Sequence, residues 1–248
     1  MKQFTIAAGA ASTLAIITAT PTFAQDNVQI LSNWTYDSLY AEGWSVENMF
    51  GMTEVIDANG EDIGDIENII FSNDGQVLGI IAQVGGFWDI GDTHVHVPWG
   101  EVTMVDGIQQ MQVPVTEATV DDYDVFGDYW EEDQVITEAA TDSSQVVDDD
   151  LVAGPGIFKA TDLIGSYAYL SDDVRYGYIS DIIIEDGAIS AIVTDAGAYG
   201  RRGYYANPYS YRGVSPMGSP RYDMPYDAAQ VDTIEAFDYE QLQSRVAE

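Results

Sequence analysis

The chain has 248 residues, with 8 Lys+Arg against 42 Asp+Glu, 2 His and no Cys, for a net charge of −34. Such a field repels nucleic acid and anionic lipid headgroups. The lack of Cys excludes a disulfide framework, thiol catalysis and Cys-ligated metal centres. Hydrophobic residues make up 46%, so a packed globular protein is expected despite the charge.

Residues 1–24 read as a secretory signal peptide. Met1-Lys2 is followed by an uncharged run from Phe4 to Ala19, and cleavage is placed after Ala24. The run is too short and too rich in Thr, Ser and Gly for a spanning helix, although retention as an anchor is the competing reading. The mature chain then keeps seven basic residues against 42 acids, a charge of −35, and Lys159 is its one lysine. The expected location is the periplasm or the medium, with no transmembrane span.

Two stretches repeat each other. The first runs through Met49-Phe50-Gly51, Asn59-Gly60, Ile63-Gly64, Ile69-Ile70-Phe71, Asp74-Gly75, Ile80-Ile81, Gly85-Gly86 and Val97-Pro98-Trp99. The second runs through Leu163-Ile164-Gly165, Tyr176-Gly177, Ile182-Ile183-Ile184, Asp186-Gly187, Ile192-Val193, Ala196-Gly197 and Met224-Pro225-Tyr226. Val/Ile runs of four to eight residues between Asn-Gly and Asp-Gly pairs predict short strands joined by tight hairpins. Gly64 and Gly177, just inside strands, predict a bend or a close backbone approach. Sheets of this size hide their edges by curling on themselves. The expected fold is all-β, with two tandem small barrels.

These motifs, with Trp34-Thr35-Tyr36-Asp37-Ser38-Leu39-Tyr40, Gly85-Gly86-Phe87 and Ile90-Gly91-Asp92, resemble the PRC-barrel family, in particular its exported two-copy members in alphaproteobacteria. The family's fold also occurs in the cytoplasmic part of the reaction-centre H subunit and in the C-terminal domain of ribosome maturation factors. The resemblance is closer in the first copy, since Val174-Arg175-Tyr176-Gly177 replaces the Asn-Gly hairpin in the second. It implies a small barrel used as an interaction module, and it carries no catalytic motif. The expected domains are 34–120 and 156–248, joined by an acidic linker over 121–155. Twelve acids lie between residues 121 and 150, and from Gln134 to Asp150 the composition suits a self-repelling, flexible connection. Tyr123, Phe126, Tyr129 and Trp130 are expected to dock on the first barrel. Tyr239 to Ala247 lacks Gly and Pro and predicts a short C-terminal helix.

The strongest candidate site lies between Ala198 and Tyr226. It holds seven Tyr, four Pro and four of the mature chain's seven basic residues. Tyr199, Arg201, Arg202, Tyr204, Tyr205, Tyr209, Tyr211, Arg212, Arg221 and Tyr222 are the predicted binding residues, because Tyr and Arg combine contact area with a polar handle. Gly and Pro argue for an irregular loop there. An envelope protein or glycan is the expected partner. The alternative is that the loop serves the fold, neutralising the acidic segment or covering a barrel edge.

Weaker candidates are few. His94 and His96 share a strand face and, with Asp92, suggest a zinc set, but a surface strand accommodates them as readily. Asp57-Ala58-Asn59-Gly60-Glu61-Asp62 has Gly fourth where a calcium loop needs it sixth, so a hairpin turn explains it better. No Gly-x-Ser-x-Gly elbow occurs, and Gly85-Gly86 and Gly197-x-x-Gly200 lack the context of a phosphate cradle. No metal or cofactor is expected. The sequence thus reads as a non-enzymatic interaction or scaffold module of the cell envelope. A weakly cation-binding, salt-adapted envelope protein is second, and an enzyme of unknown type third.

Overall fold

The computed structural model describes residues 28–85, 93–105, 107, 109–116, 134–211 and 221–246, with side chains to 242. The leader, Asp92 and the acids at 121–133 lie outside them, as do Gly86-Phe87, Ile90-Gly91 and the four aromatics at 123–130.

Helix α1 (Asp37–Glu42), strand β1 (Trp44–Ser45) and helix α2 (Val46–Met52) precede six strands. These are β2 (Glu54–Ile56), β3 (Asp62–Ser72), β4 (Val77–Val84), β5 (Thr93–Pro98), β6 (Thr103–Met104) and β7 (Gln110–Gln112). Between the copies lie β8 (Val135–Ile136), β9 (Gln145–Val147) and β10 (Val152–Ala153). The second copy has β11 (Ile157–Lys159), α3 (Ala160–Leu163), β12 (Tyr167–Tyr169), β13 (Arg175–Glu185), β14 (Ala188–Asp195), β15 (Tyr204–Pro208) and β16 (Arg221–Asp223). Helices α4 (Ala228–Val231) and α5 (Tyr239–Val246) follow, the latter where helix-favouring composition places it.

The repeat is structural as well as sequential. The first sheet runs β6-β7-β2-β3-β4-β5-β9 and the second β15-β14-β13-β12-β16. In each, an eleven-residue strand pairs antiparallel with an eight-residue one, and the first short strand pairs parallel with the last (β2 with β7, β12 with β16). Both long strands carry a bulge at the same place, after Ile66 and after Ile179. One detail of the alignment changes. Pro98 pairs with Gly79 as Pro208 pairs with Ala191, so Val97-Pro98-Trp99 corresponds to Asn207-Pro208-Tyr209. Met224-Pro225-Tyr226 instead follows β16 as Val113-Pro114-Val115 follows β7: Met224 N–H donates to Tyr169 O (2.8 Å) and Val113 N–H to Ile56 O (2.9 Å).

Gly64 and Gly177 are the close approaches their positions predict. A Cβ on either would fall on a backbone carbonyl oxygen of the neighbouring strand, that of Gln83 or Asp195.

The copies exchange elements. β1, ahead of the first sheet, pairs with β13 of the second (Trp44 with Ile184, Ser45 with Ile183). β11, ahead of the second sheet, pairs with β3 of the first (Phe158 with Phe71, Lys159 with Ile70). The helices that follow are held the same way. Glu47 N–H at the start of α2 donates to Asp181 Oδ1 on β13 (3.0 Å), and Thr161 N–H in α3 donates to Asn68 Oδ1 on β3 (3.4 Å). Asp181 and Asn68 are the bulge partners of the two long strands. The hairpins meet as well: Val77 N–H donates to Gly187 O and Ile189 N–H to Gly75 O, both at 2.8 Å. One apolar core consequently draws on both copies, including Phe71, Ile80, Val97, Phe158, Ile184, Ile192 and Tyr222.

The outer faces are covered differently. On the second sheet, Ile183, Ala191, Val193 and Ala206 pack under Tyr36 and Leu39 of the N-terminal segment and Phe237 and Leu242 near the C-terminus. On the first sheet, Ile70 and Ile81 pack under Ile136, Val147, Leu151 and Ala153. Residues 134–153 are therefore not a free linker. Between its acids the segment carries enough Val, Ile and Leu to seal a sheet face, and β9 extends the sheet by pairing with β5. Among the described residues no helix is long and apolar enough to cross a membrane.

Candidate functional site

The Tyr/Arg-rich stretch is not one irregular loop. Residues 204–208 form β15, the edge strand of the second sheet, with Pro208 as its last residue. Proline is tolerated at an edge because its missing N–H costs little there. The strand buries Tyr205, Ala206 and Asn207.

Several predicted binding residues spend their polar atoms inside the chain. The Arg201 guanidinium lies 3.8 Å over the Tyr205 ring and donates to the Tyr176 hydroxyl (3.1 Å), to Ile234 O (2.8 Å) and to Val231 O at the end of α4. The Tyr205 hydroxyl donates to Arg202 O (3.2 Å), and buried Tyr222 accepts from Ser210 N–H (2.8 Å). Tyr209 reaches the first copy, donating to Asn73 O (2.8 Å). Tyr199 packs on the Tyr176 ring, 5.2 Å between centroids. Arg202, Tyr204 and Tyr211 are exposed, Tyr204 with its ring edge-on to Tyr239. Arg212 lies outside the described residues.

Arg221 belongs to a different cluster, whose members are scattered in the sequence. Tyr167 on β12 stands opposite Tyr178 on β13 and Arg221 on β16, and Tyr169 stands opposite Arg175. Alternate residues of a strand share a face, so the five side chains converge. The Tyr167 and Tyr178 rings are 4.6 Å apart, and the Arg175 guanidinium lies 5.2 and 5.9 Å from their centres. Arg221 lies 4.0 Å over Tyr169 and is fixed by Asp173 and Asp223 at 2.6 Å each. Tyr178 is 42% exposed. The signal in the sequence is the alternation Tyr167-Ala168-Tyr169 and Tyr176-Gly177-Tyr178 beside Arg175. It becomes legible only once β16 is known to pair with β12.

The histidines separate. His96 is fully buried, its Nδ1 3.3 Å from Ser143 O, and burial lowers its pKa. The absence of a side chain at Gly79 makes room for its ring. His94 instead faces Glu67 of β3, Nε2 to Oε2 at 3.2 Å, with Asp149 Oδ1 at 4.0 Å. Asp92, the third residue of the predicted zinc set, lies outside the described residues.

The Asp57 turn is a hairpin, as its glycine position predicts. Asp57 accepts N–H bonds from Glu61 (3.0 Å) and Asn59 (2.7 Å), and these hold its carboxyl below the usual range. Its oxygens are thereby committed to the turn.

Residues 48–122 match the family described as PRC-barrel domain, a span that takes in most of α2 and strands β2 to β7. No curated protein matches the chain. Over residues 48–122, therefore, the chain is similar to a PRC-barrel domain.

Proposed function

We propose that this protein is a non-enzymatic interaction module of the bacterial cell envelope. Its contact surface is the Tyr167/Tyr169/Arg175/Tyr178/Arg221 patch on the second sheet, with Arg202, Tyr204 and Tyr211 as the exposed remainder of the Tyr/Arg-rich stretch. The observation that carries the reading is the patch itself. Two of seven mature basic residues stack on three tyrosines in an otherwise acidic chain. Ring-backed guanidinium groups lose little freedom on binding and offer both stacking and hydrogen bonding. The partner is an envelope protein or glycan presenting acceptors and flat apolar surface. The leader-like residues 1–24 support the envelope location, and the PRC-barrel domain is compatible with a scaffold role.

The test uses mild cross-linking and co-purification from the periplasmic fraction, comparing wild type with an Arg175→Glu/Tyr178→Ala double variant. Both side chains are exposed, so the melting temperature should stay within about 2 °C. A partner present with wild type and lost with the variant is the expected result. The same proteins and glycans recovered with both would contradict the proposal. Deleting residues 203–221 is a poorer test, because it removes β15 and part of the core.

A further inference from the structure

We infer that Glu67, His94 and Asp149 form a site for one borderline divalent metal ion of the zinc type, which ties the acidic segment between the copies to the first sheet. The three come from different elements: Glu67 is the extra residue at the bulge of β3, His94 lies on β5, and Asp149 follows β9. Their ligand atoms all lie within 4.8 Å of one another. A tetrahedral zinc ion with ligands at about 2.0–2.2 Å needs donor–donor edges of about 3.3–3.6 Å. The His94–Glu67 edge, at 3.2 Å, is slightly shorter than that and needs only a small opening. Asp149 Oδ1, at 4.0 Å on a side chain 78% exposed, has room to close the remainder by rotation.

A second observation points the same way. Glu67 Oε2 is buried and has no hydrogen-bond partner, although it faces His94 Nε2. A shielded carboxylate oxygen on a side chain 29% exposed, in ion-pair contact with His94 but without a well-formed hydrogen bond, is only partly compensated. The surroundings make this one less so, because a carboxylate oxygen of Asp149 lies within 4.8 Å of a Glu67 carboxylate oxygen. Lys159 does not fill the gap, because its Nζ donates to Leu151 O (2.6 Å). A dication at the centre of the triad would complete the pairing of that oxygen and cancel the repulsion between the two carboxylates.

The donor set selects the ion. One imidazole and two carboxylates suit zinc and its neighbours, whereas calcium needs six to eight oxygens. A water would take the fourth position. The site is also peculiar to the first copy. By strand register, Ser180 and Tyr204 stand where Glu67 and His94 do, and a different element covers that face. The triad is therefore not a requirement of the repeated fold.

The experiment titrates the chelator-treated mature chain with zinc chloride by calorimetry, alongside calcium chloride and the variants His94→Gln, Glu67→Gln and Asp149→Asn. Wild type should take up one zinc ion per chain. Each variant should bind at least about tenfold more weakly, and calcium should not compete at tenfold excess. Asp149→Asn alters an exposed side chain, so a folding defect cannot mimic the result. Zinc should also raise the melting temperature of wild type and leave that of His94→Gln unchanged. No uptake by wild type, or equal uptake by wild type and the three variants, would overturn the inference; the latter would mean diffuse binding to the acidic surface.

Discussion

Asp181→Asn should make the protein more stable at pH 7, whereas Asp181→Ala should destabilise it at every pH. Asp181 is fully buried on β13. Its Oδ1 accepts N–H bonds from Glu47 (3.0 Å) and Ile182 (2.7 Å), and its Oδ2 accepts from the Ser45 hydroxyl (2.5 Å). Burial outweighs these bonds and raises its pKa to about 6, with the Glu47 carboxylate adding to the rise. An acid whose folded pKa lies above its unfolded value of 3.8 holds its proton more tightly when folded. Stability is therefore greatest below about pH 4 as far as this group is concerned, falls as pH rises to about 6, and is level above. Two pKa units correspond to about 3 kcal/mol. The amide in Asp181→Asn retains an acceptor for both N–H groups and carries no charge to bury. Asn68 already holds that position in the other copy, accepting from Ile69 N–H (3.1 Å) while its Nδ2 donates to Thr161 Oγ1 (2.8 Å). The gain expected above pH 6 is about 1–3 kcal/mol, and the decline between pH 4 and 6 should shrink. Alanine leaves three donors without an acceptor and should cost about 2–4 kcal/mol. Urea unfolding of the three proteins from pH 4 to 8 checks all of this.

Gly64→Ala and Gly177→Ala should each cost about 3 kcal/mol or more, among the largest single-residue effects in the chain. The added methyl would meet a carbonyl oxygen of the adjacent strand, which cannot rotate away as a side chain can. Relief requires opening β3 from β4, or β13 from β14. Gly51→Ala is the control. That glycine lies in α2 with nothing within 4 Å of a Cβ, and alanine there favours the helix by about 1 kcal/mol. A loss in urea midpoint for the first two beside a small gain for the third is the expected pattern.

Much of the sheet framework could be read from residues alone, because its signals are local. The Asp74-Gly75 and Asp186-Gly187 turns and the Val/Ile runs beside them place β3, β4, β13 and β14. The two strand glycines mark the backbone approach. The exchange of β1 and β11 could not be read. Strands of two and three residues have no periodicity, and nothing in Trp44-Ser45 or Ile157-Phe158-Lys159 states which copy each will join. The acidic segment misled for a different reason: four buried apolar residues, Ile136, Val147, Leu151 and Ala153, are spread thinly among carboxylates, so composition hides the face they seal. In the Tyr/Arg stretch, Asn207 and Pro208 look like loop residues, yet an edge strand ends on them. The exposed Tyr/Arg patch depends on the parallel pairing of β12 with β16, a contact across more than fifty residues of sequence.

The two copies form one body through exchanged strands and a shared core. A protease site inserted within residues 121–130, between β7 and β8 in sequence, serves to cut the chain between the two copies. Size-exclusion chromatography of the cut material is the most direct measurement. The cut protein should elute at the position of the intact one, with the two fragments parting only in denaturant. Two folded half-size species eluting separately in buffer would contradict it.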